Sequence, residues 1–181
     1  MTALLFLPSV TEIVFPSTVK TICSDANHRG VFAGCSALKV VDMSKMTVNS
    51  LICKNGTSNQ TFFKATNGSV DLTTIYMPSG ITAVDNPFTG CGVDNIYFAA
   101  GITSINNISD EFIKNIYLNT DTLDGITFGI SSIGEGCTIH VLSAYSGNNT
   151  ISIATCDSGA PAQFQTPPTV VTVANDYNPT K

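Results

Sequence analysis

Three near-copies of one phrase, TTIYMPSG, DNIYFAAG and KNIYLNTD, place Tyr76, Tyr97 and Tyr117 between large apolar residues and use three of the chain's five tyrosines. A phenol joins an apolar ring to a hydroxyl that can donate and accept, a combination suited to interfaces. His140, in GCTIHV, takes the equivalent place in a further phrase. Immediately before each isoleucine of these phrases stand Thr74, Asn95, Asn115 and Thr138, short polar side chains able to form hydrogen bonds beside the rings. These eight residues form the candidate binding face, for protein or alternatively for glycan. The plainer reading is cross-strand aromatic packing, worth about 0.2–1 kcal/mol per pair.

Other chemistry finds little support. The only Cys/His cluster, Cys23, His28 and Cys35, lacks the close pair spacing that zinc sites favour, and no calcium-loop spacing of carboxylates occurs. There are two histidines, and neither a Gly-x-Ser-x-Gly elbow nor a phosphate-binding loop. Glu12, Glu111 and Glu135 fall in different repeats, with no pairing for glycosidic acid–base work. The expectation is a non-enzyme without metal or cofactor. Six cysteines show no disulfide framework and read mainly as reduced, core-facing thiols. Sequons at Asn55, Asn59, Asn67, Asn107 and Asn148 are about as many as chance supplies in so Asn-, Ser- and Thr-rich a chain, and carry no argument.

The elements that must position the tyrosines follow from a repeat. Val10, Ile13, Phe15; Leu38, Val41, Met43; Leu72, Ile75, Met77; Val93, Ile96, Phe98; and Ile113, Ile116, Leu118 share the frame apolar-x-x-apolar-x-apolar. A sixth copy keeps Ile139 and Val141, with Gly136 in the first place. Central anchors are 28, 34, 21, 20 and 23 residues apart, a period typical of solenoids. The last two apolar positions lie two residues apart and so share one face of a short strand. One such strand cannot bury that face alone, but parallel stacking of copies builds a continuous core. Six strands at about 4.8 Å each make a sheet roughly 25–30 Å wide. The residue after each anchor then points outward, which aligns Val14, Asp42, Tyr76, Tyr97, Tyr117 and His140 in one column.

A second half-repeat follows the strands in STVKTI (17–22), MTVNSL (46–51), SGITAV (79–84) and AGITSI (100–105), and its apolar residues, such as Ile81 with Val84 and Ile102 with Ile105, fold back over the same core. VFAGCSALKVV (31–41) and PFTGCGVDNIYF (87–98) add a Phe-x-Gly-Cys element before a strand. Gly34 and Gly90 permit a tight turn there, with Phe32 and Phe88 inward and Cys35 and Cys91 beneath. On these residues the chain resembles the BspA-like leucine-rich-repeat family, whose motif reads Phe-x-Gly-Cys-x-x-Leu-x-x-Ile-x-Ile-Pro-x-x-Val-x-x-Ile. LTTIYMPSGITAVDNPFTGC (72–91) matches best, and the resemblance spans about residues 7–142. It implies a mainly β, right-handed leucine-rich-repeat solenoid with one parallel sheet, short helical or irregular turns on the convex side, and a surface-exposed, non-enzymatic binding role. AAGI in place of the motif's proline and the irregular ITFGISSIGEG are departures from it.

The solenoid is expected over residues 1–145, in about six repeats, with insertions at 23–30 and 53–69 on its rim. Residues 146–181, where the repeat stops, read as a C-terminal β cap or docking arm. Charged residues are only 12% of the 181, the net charge is −5, and no basic run occurs, so nucleic acid is not an expected partner. Mean hydropathy is +0.23, yet no apolar run reaches the length of a membrane span. The expected partner is another protein in an assembly, with glycan second. Two settings fit. A virion or other particle surface is favoured by the initiating Met, the absent export signal and the low charge. A bacterial cell-surface adhesin, and hence an extracellular location, is favoured by the resemblance. A glycan-active enzyme is a third alternative.

Overall fold

The isoleucine anchors form strands that pair in register. The computed structural model describes residues 7–20, 35–48, 72–85, 93–106, 114–120, 123, 125–129, 138–142, 153–154 and 169–173. The strands, in chain order, are β1 (Glu12–Val14), β2 (Val40–Asp42), β3 (Leu72–Tyr76), β4 (Ala83–Asp85), β5 (Val93–Phe98), β6 (Ser104–Asn106), β7 (Asn115–Leu118), β8 (Thr127–Gly129), β9 (Thr138–Leu142), β10 (Ile153–Ala154) and β11 (Thr169–Val173). No helix occurs among the described residues, and the protein is mainly β.

Seven strands make one sheet in the order β1-β2-β3-β5-β7-β9-β11, and every pairing in it is parallel. Its register aligns Ile13, Val41, Ile75, Ile96, Ile116 and Ile139. Val41, Ile75, Ile96, Ile116 and Ile139 are fully buried, as are Met43 and Val141 two residues beyond two of them, and Phe98 nearly so. Thus the two-residue spacing of the sequence frame does send both positions to one interior. Unbranched Met43, Met46 and Met77 fill the gaps between branched neighbours.

Two of the second half-repeats differ from the irregular or short helical turns expected of them. The ends of 79–84 and 100–105, in β4 and β6, join β8 and β10 in a second parallel sheet in the order β10-β8-β6-β4, with Val84 opposite Ile105 and Ile105 opposite Phe128, whereas the described parts of 17–22 and 46–51 carry no strand. Ile81, Val84, Ile102, Ile105 and Ile126 join the same buried cluster as the first sheet's anchors. Backbone groups thereby find partners in the neighbouring repeat: Thr103 donates through both N–H and hydroxyl to the Thr82 carbonyl at 2.7 and 2.9 Å. Matching turns follow β2, β3 and β7, with Met46, Ile81 and Ile126 N–H groups donating to Met43, Pro78 and Leu123 carbonyls. Gly101 and Gly125 hold the third position of equivalent turns at φ of 95° and 81°, a conformation that side chains with a Cβ resist.

Residues from 146 onward contribute one strand to each sheet. β10 pairs with β8, and β11 pairs with β9 over five residues, from Thr169 opposite Thr138 to Val173 opposite Leu142. The alternation of sheets therefore continues past the point where the apolar frame fades. The insertions 23–30 and 53–69, Phe32, Gly34, Phe88, Gly90, Cys91, the five sequons and the last eight residues lie outside the described residues.

Candidate functional site: an aromatic column beside an amide ladder

Parallel in-register pairing brings identical positions of successive repeats to neighbouring strands. Tyr76 stands opposite Tyr97, Tyr97 opposite Tyr117, and Tyr117 opposite His140. All four side chains are half-buried on the face opposite the core. Their rings stack: centroids lie 4.8 Å apart for Tyr76–Tyr97, 4.2 Å for Tyr97–Tyr117 and 4.1 Å for Tyr117–His140, with interplanar angles of 24°, 6° and 10°. The strand spacing of about 4.8 Å sets this repeat, and ring planes tilt to close the remaining gap.

Stacking has an electrostatic consequence. Burial, first, and then the charge and hydrogen bond of Tyr117 and the charge of Tyr76 push the Tyr97 phenol up to about 12. Tyr76 is raised chiefly by burial, then by Asp42 and Glu12. Asp42, opposite Tyr76 in register, is the one buried charged residue among those described. Its Oδ1 accepts from the Ser44 backbone N–H at 2.8 Å and from the Ser44 hydroxyl at 2.6 Å, which turns the carboxylate toward its own turn. The Asp-x-Ser spacing could have announced that bond.

Thr74, Asn95, Asn115 and Thr138 also align in register. Asn95 Nδ2 donates to the Thr73 carbonyl at 2.9 Å, Asn115 Nδ2 donates to Asn95 Oδ1 at 3.0 Å, and His140 Nε2 lies 2.9 Å from Asn115 Oδ1. The two columns thus meet at His140. The amides spend these hydrogen bonds on one another, which leaves ring edges and phenol oxygens as the chemistry turned outward. Thr73, whose carbonyl ends the ladder, is not singled out by the sequence pattern, because a backbone acceptor carries no residue-type signal. Burial lowers the His140 imidazole below its ordinary value.

Among the described residues no three His, Cys, Asp or Glu side chains gather as a metal site. Cys35 is fully buried in the core, while Cys23 and His28 lie outside the described residues. Glu12 is on β1, and Glu111 and Glu135 lie outside the described residues. No helix among the described residues is long and apolar enough to cross a membrane. Comparison with protein-family models finds no match, and comparisons with curated proteins and with solved structures find none either.

Proposed function

We propose that the chain is a non-enzymatic repeat module of leucine-rich-repeat type, a right-handed solenoid that works by presenting the Tyr76–Tyr97–Tyr117–His140 face to a protein partner in a surface assembly. The solenoid reading is supported by two parallel sheets whose strands follow chain order and share one core. The apolar frame and its period support the leucine-rich-repeat type; the second sheet is a departure from the turns that resemblance implies.

One observation carries the binding role. The aligned rings stay half-exposed while every inward neighbour is buried. Tyrosine is an interface residue because it supplies large contact area with few torsions to freeze. The stacking also favours protein over glycan. Aromatic platforms meet apolar or cationic groups through their faces, and here the faces of Tyr97 and Tyr117 are covered by their neighbours in the stack. Ring edges and the outward hydroxyls, those of Tyr97 and Tyr117 also bonded to each other, suit the carbonyls of a polypeptide surface. The setting that goes with this reading is a virion or other particle surface, with a cell-surface adhesin as the second.

The test is a triple Tyr76→Phe, Tyr97→Phe, Tyr117→Phe variant, which keeps the stack and removes the hydroxyls. Incorporation into the parent assembly should drop while the melting temperature holds. Undiminished incorporation at an unchanged melting temperature would reduce the stripe to packing.

A further inference from the structure

The amide ladder has a direction, and that direction fixes a proton. It starts at the Thr73 carbonyl, which can only accept, so Asn95 must turn its Nδ2 toward it. Asn95 Oδ1 then accepts from Asn115 Nδ2, and Asn115 Oδ1 is what faces His140. An amide oxygen cannot donate, so His140 Nε2 carries the hydrogen, and in the neutral ring Nδ1 is bare. Nδ1 is buried and has no hydrogen-bond partner.

We propose that His140 is an acid-sensitive latch on the C-terminal end of the seven-stranded sheet. A proton taken from solvent can add only to the Nδ1 lone pair, with no other bond made or broken. The new N–H finds itself buried without an acceptor, so the imidazolium swings out to water. That movement gives up both the bond to Asn115 and the stack on Tyr117, and it loosens β9, with β11 beyond it, from β7.

The surroundings offer the charged ring no refuge. From β7 it is faced by Tyr117, and the nearby Lys114 is itself a cation, paired with Asp94 at 2.7 Å. β11 has no titratable residue, and β9 has none besides His140. The face of Tyr117 attracts a cation, but that attraction at a part-exposed site is weaker than the penalty of a buried, unpaired donor. The lowered pKa of the imidazole agrees with this arrangement. Because the folded value is below the free one, stability is full above about pH 6.5 and falls as pH drops through that value toward the folded one. The latch is independent of whether the face binds a partner.

Ring nitrogen shifts of His140 in the full-length, isotope-labelled chain should show Nε2 protonated, Nδ1 bare, and a titration midpoint below about 6.5. Amide-exchange protection in β9 and β11 should fall between about pH 7 and about pH 5, tenfold for each unit of depression, while β3 and β5 hold. His140→Phe keeps a ring on Tyr117 and should make that protection insensitive to pH. A hydrogen on Nδ1, a midpoint at or above the free value, or acid-induced loss persisting in His140→Phe would each overturn the latch. Should His140→Phe fail to fold, the ring measurement on the natural chain decides alone.

Discussion

Among the described residues Tyr97 is the one tyrosine with another tyrosine on each face, so its loss removes two tyrosine–tyrosine stacks at once. An aromatic pair is worth about 0.5–1.5 kcal/mol beyond the area it buries. Tyr97→Leu loses two such pairs and should cost about 1–3 kcal/mol in urea unfolding, twice the effect of Tyr76→Leu, which loses one. Equal effects would mean that the rings are neighbours without mutual attraction. Burial above all, and then the neighbouring Tyr117 and Tyr76 phenols, delay ionisation of Tyr97 to about 12. Since the folded value is raised, stability is complete below the free phenol's value and declines as pH climbs from there; phenolate absorbance should resolve late-titrating tyrosines, Tyr97 at about 12 among them. At this scale the sequence was readable in part. The outward column followed from period-two alternation after each anchor. The ladder's polarity did not, because it depends on which end of each amide meets a backbone carbonyl.

Among elements, the second sheet is where expectation and structure part. Its strands are mostly three residues long, as in Ser104–Asn106, too short to display alternation, and their Ile-Thr-x-apolar wording also suits a turn. Ile105 distinguishes the cases. It is fully buried between Val84 and Phe128 in register, so Ile105→Ala should cost about 2–5 kcal/mol, a core-sized loss rather than a turn-sized one. Gly101→Ala separates backbone from packing. The added methyl would meet nothing within 4 Å, yet φ of 95° is strained for alanine, so a loss of about 1–2 kcal/mol in thermal unfolding would be purely conformational. The register of the first sheet from β1 to β9 was legible, since one Ile or Val anchor every 20–34 positions leaves one register that turns them all inward; its seventh strand, β11, lies beyond that frame.

For the whole molecule, each repeat leans on the next, so the ends matter out of proportion to their length. β1 ends one edge of the first sheet, with Val14 exposed and Val10, Ile13, Phe15 and Val19 only partly buried. β11 ends the other. Removing residues 146–181 takes away the last strand of both sheets and bares β8 and β9. The shortened chain should keep its β spectrum at low concentration but self-associate as concentration rises, which sedimentation would detect. A monomer of unchanged stability would mean that this segment serves a partner instead. The two strands of this region were legible in the β-branched wording of TISIA and TVVTV, but their places in the two sheets were not, because the Ile frame gives way to Gly- and Pro-rich wording around 158–168.

The chain has no tryptophan, and three of its five tyrosines are piled plane on plane at 4.2–4.8 Å. Chromophores so close share their excitation, so the near-ultraviolet circular dichroism of this protein should be dominated by a coupled phenol signal. It would vanish when the strands unzip, even if extended backbone persists. The protein thus carries its own optical gauge of strand alignment, with no label attached.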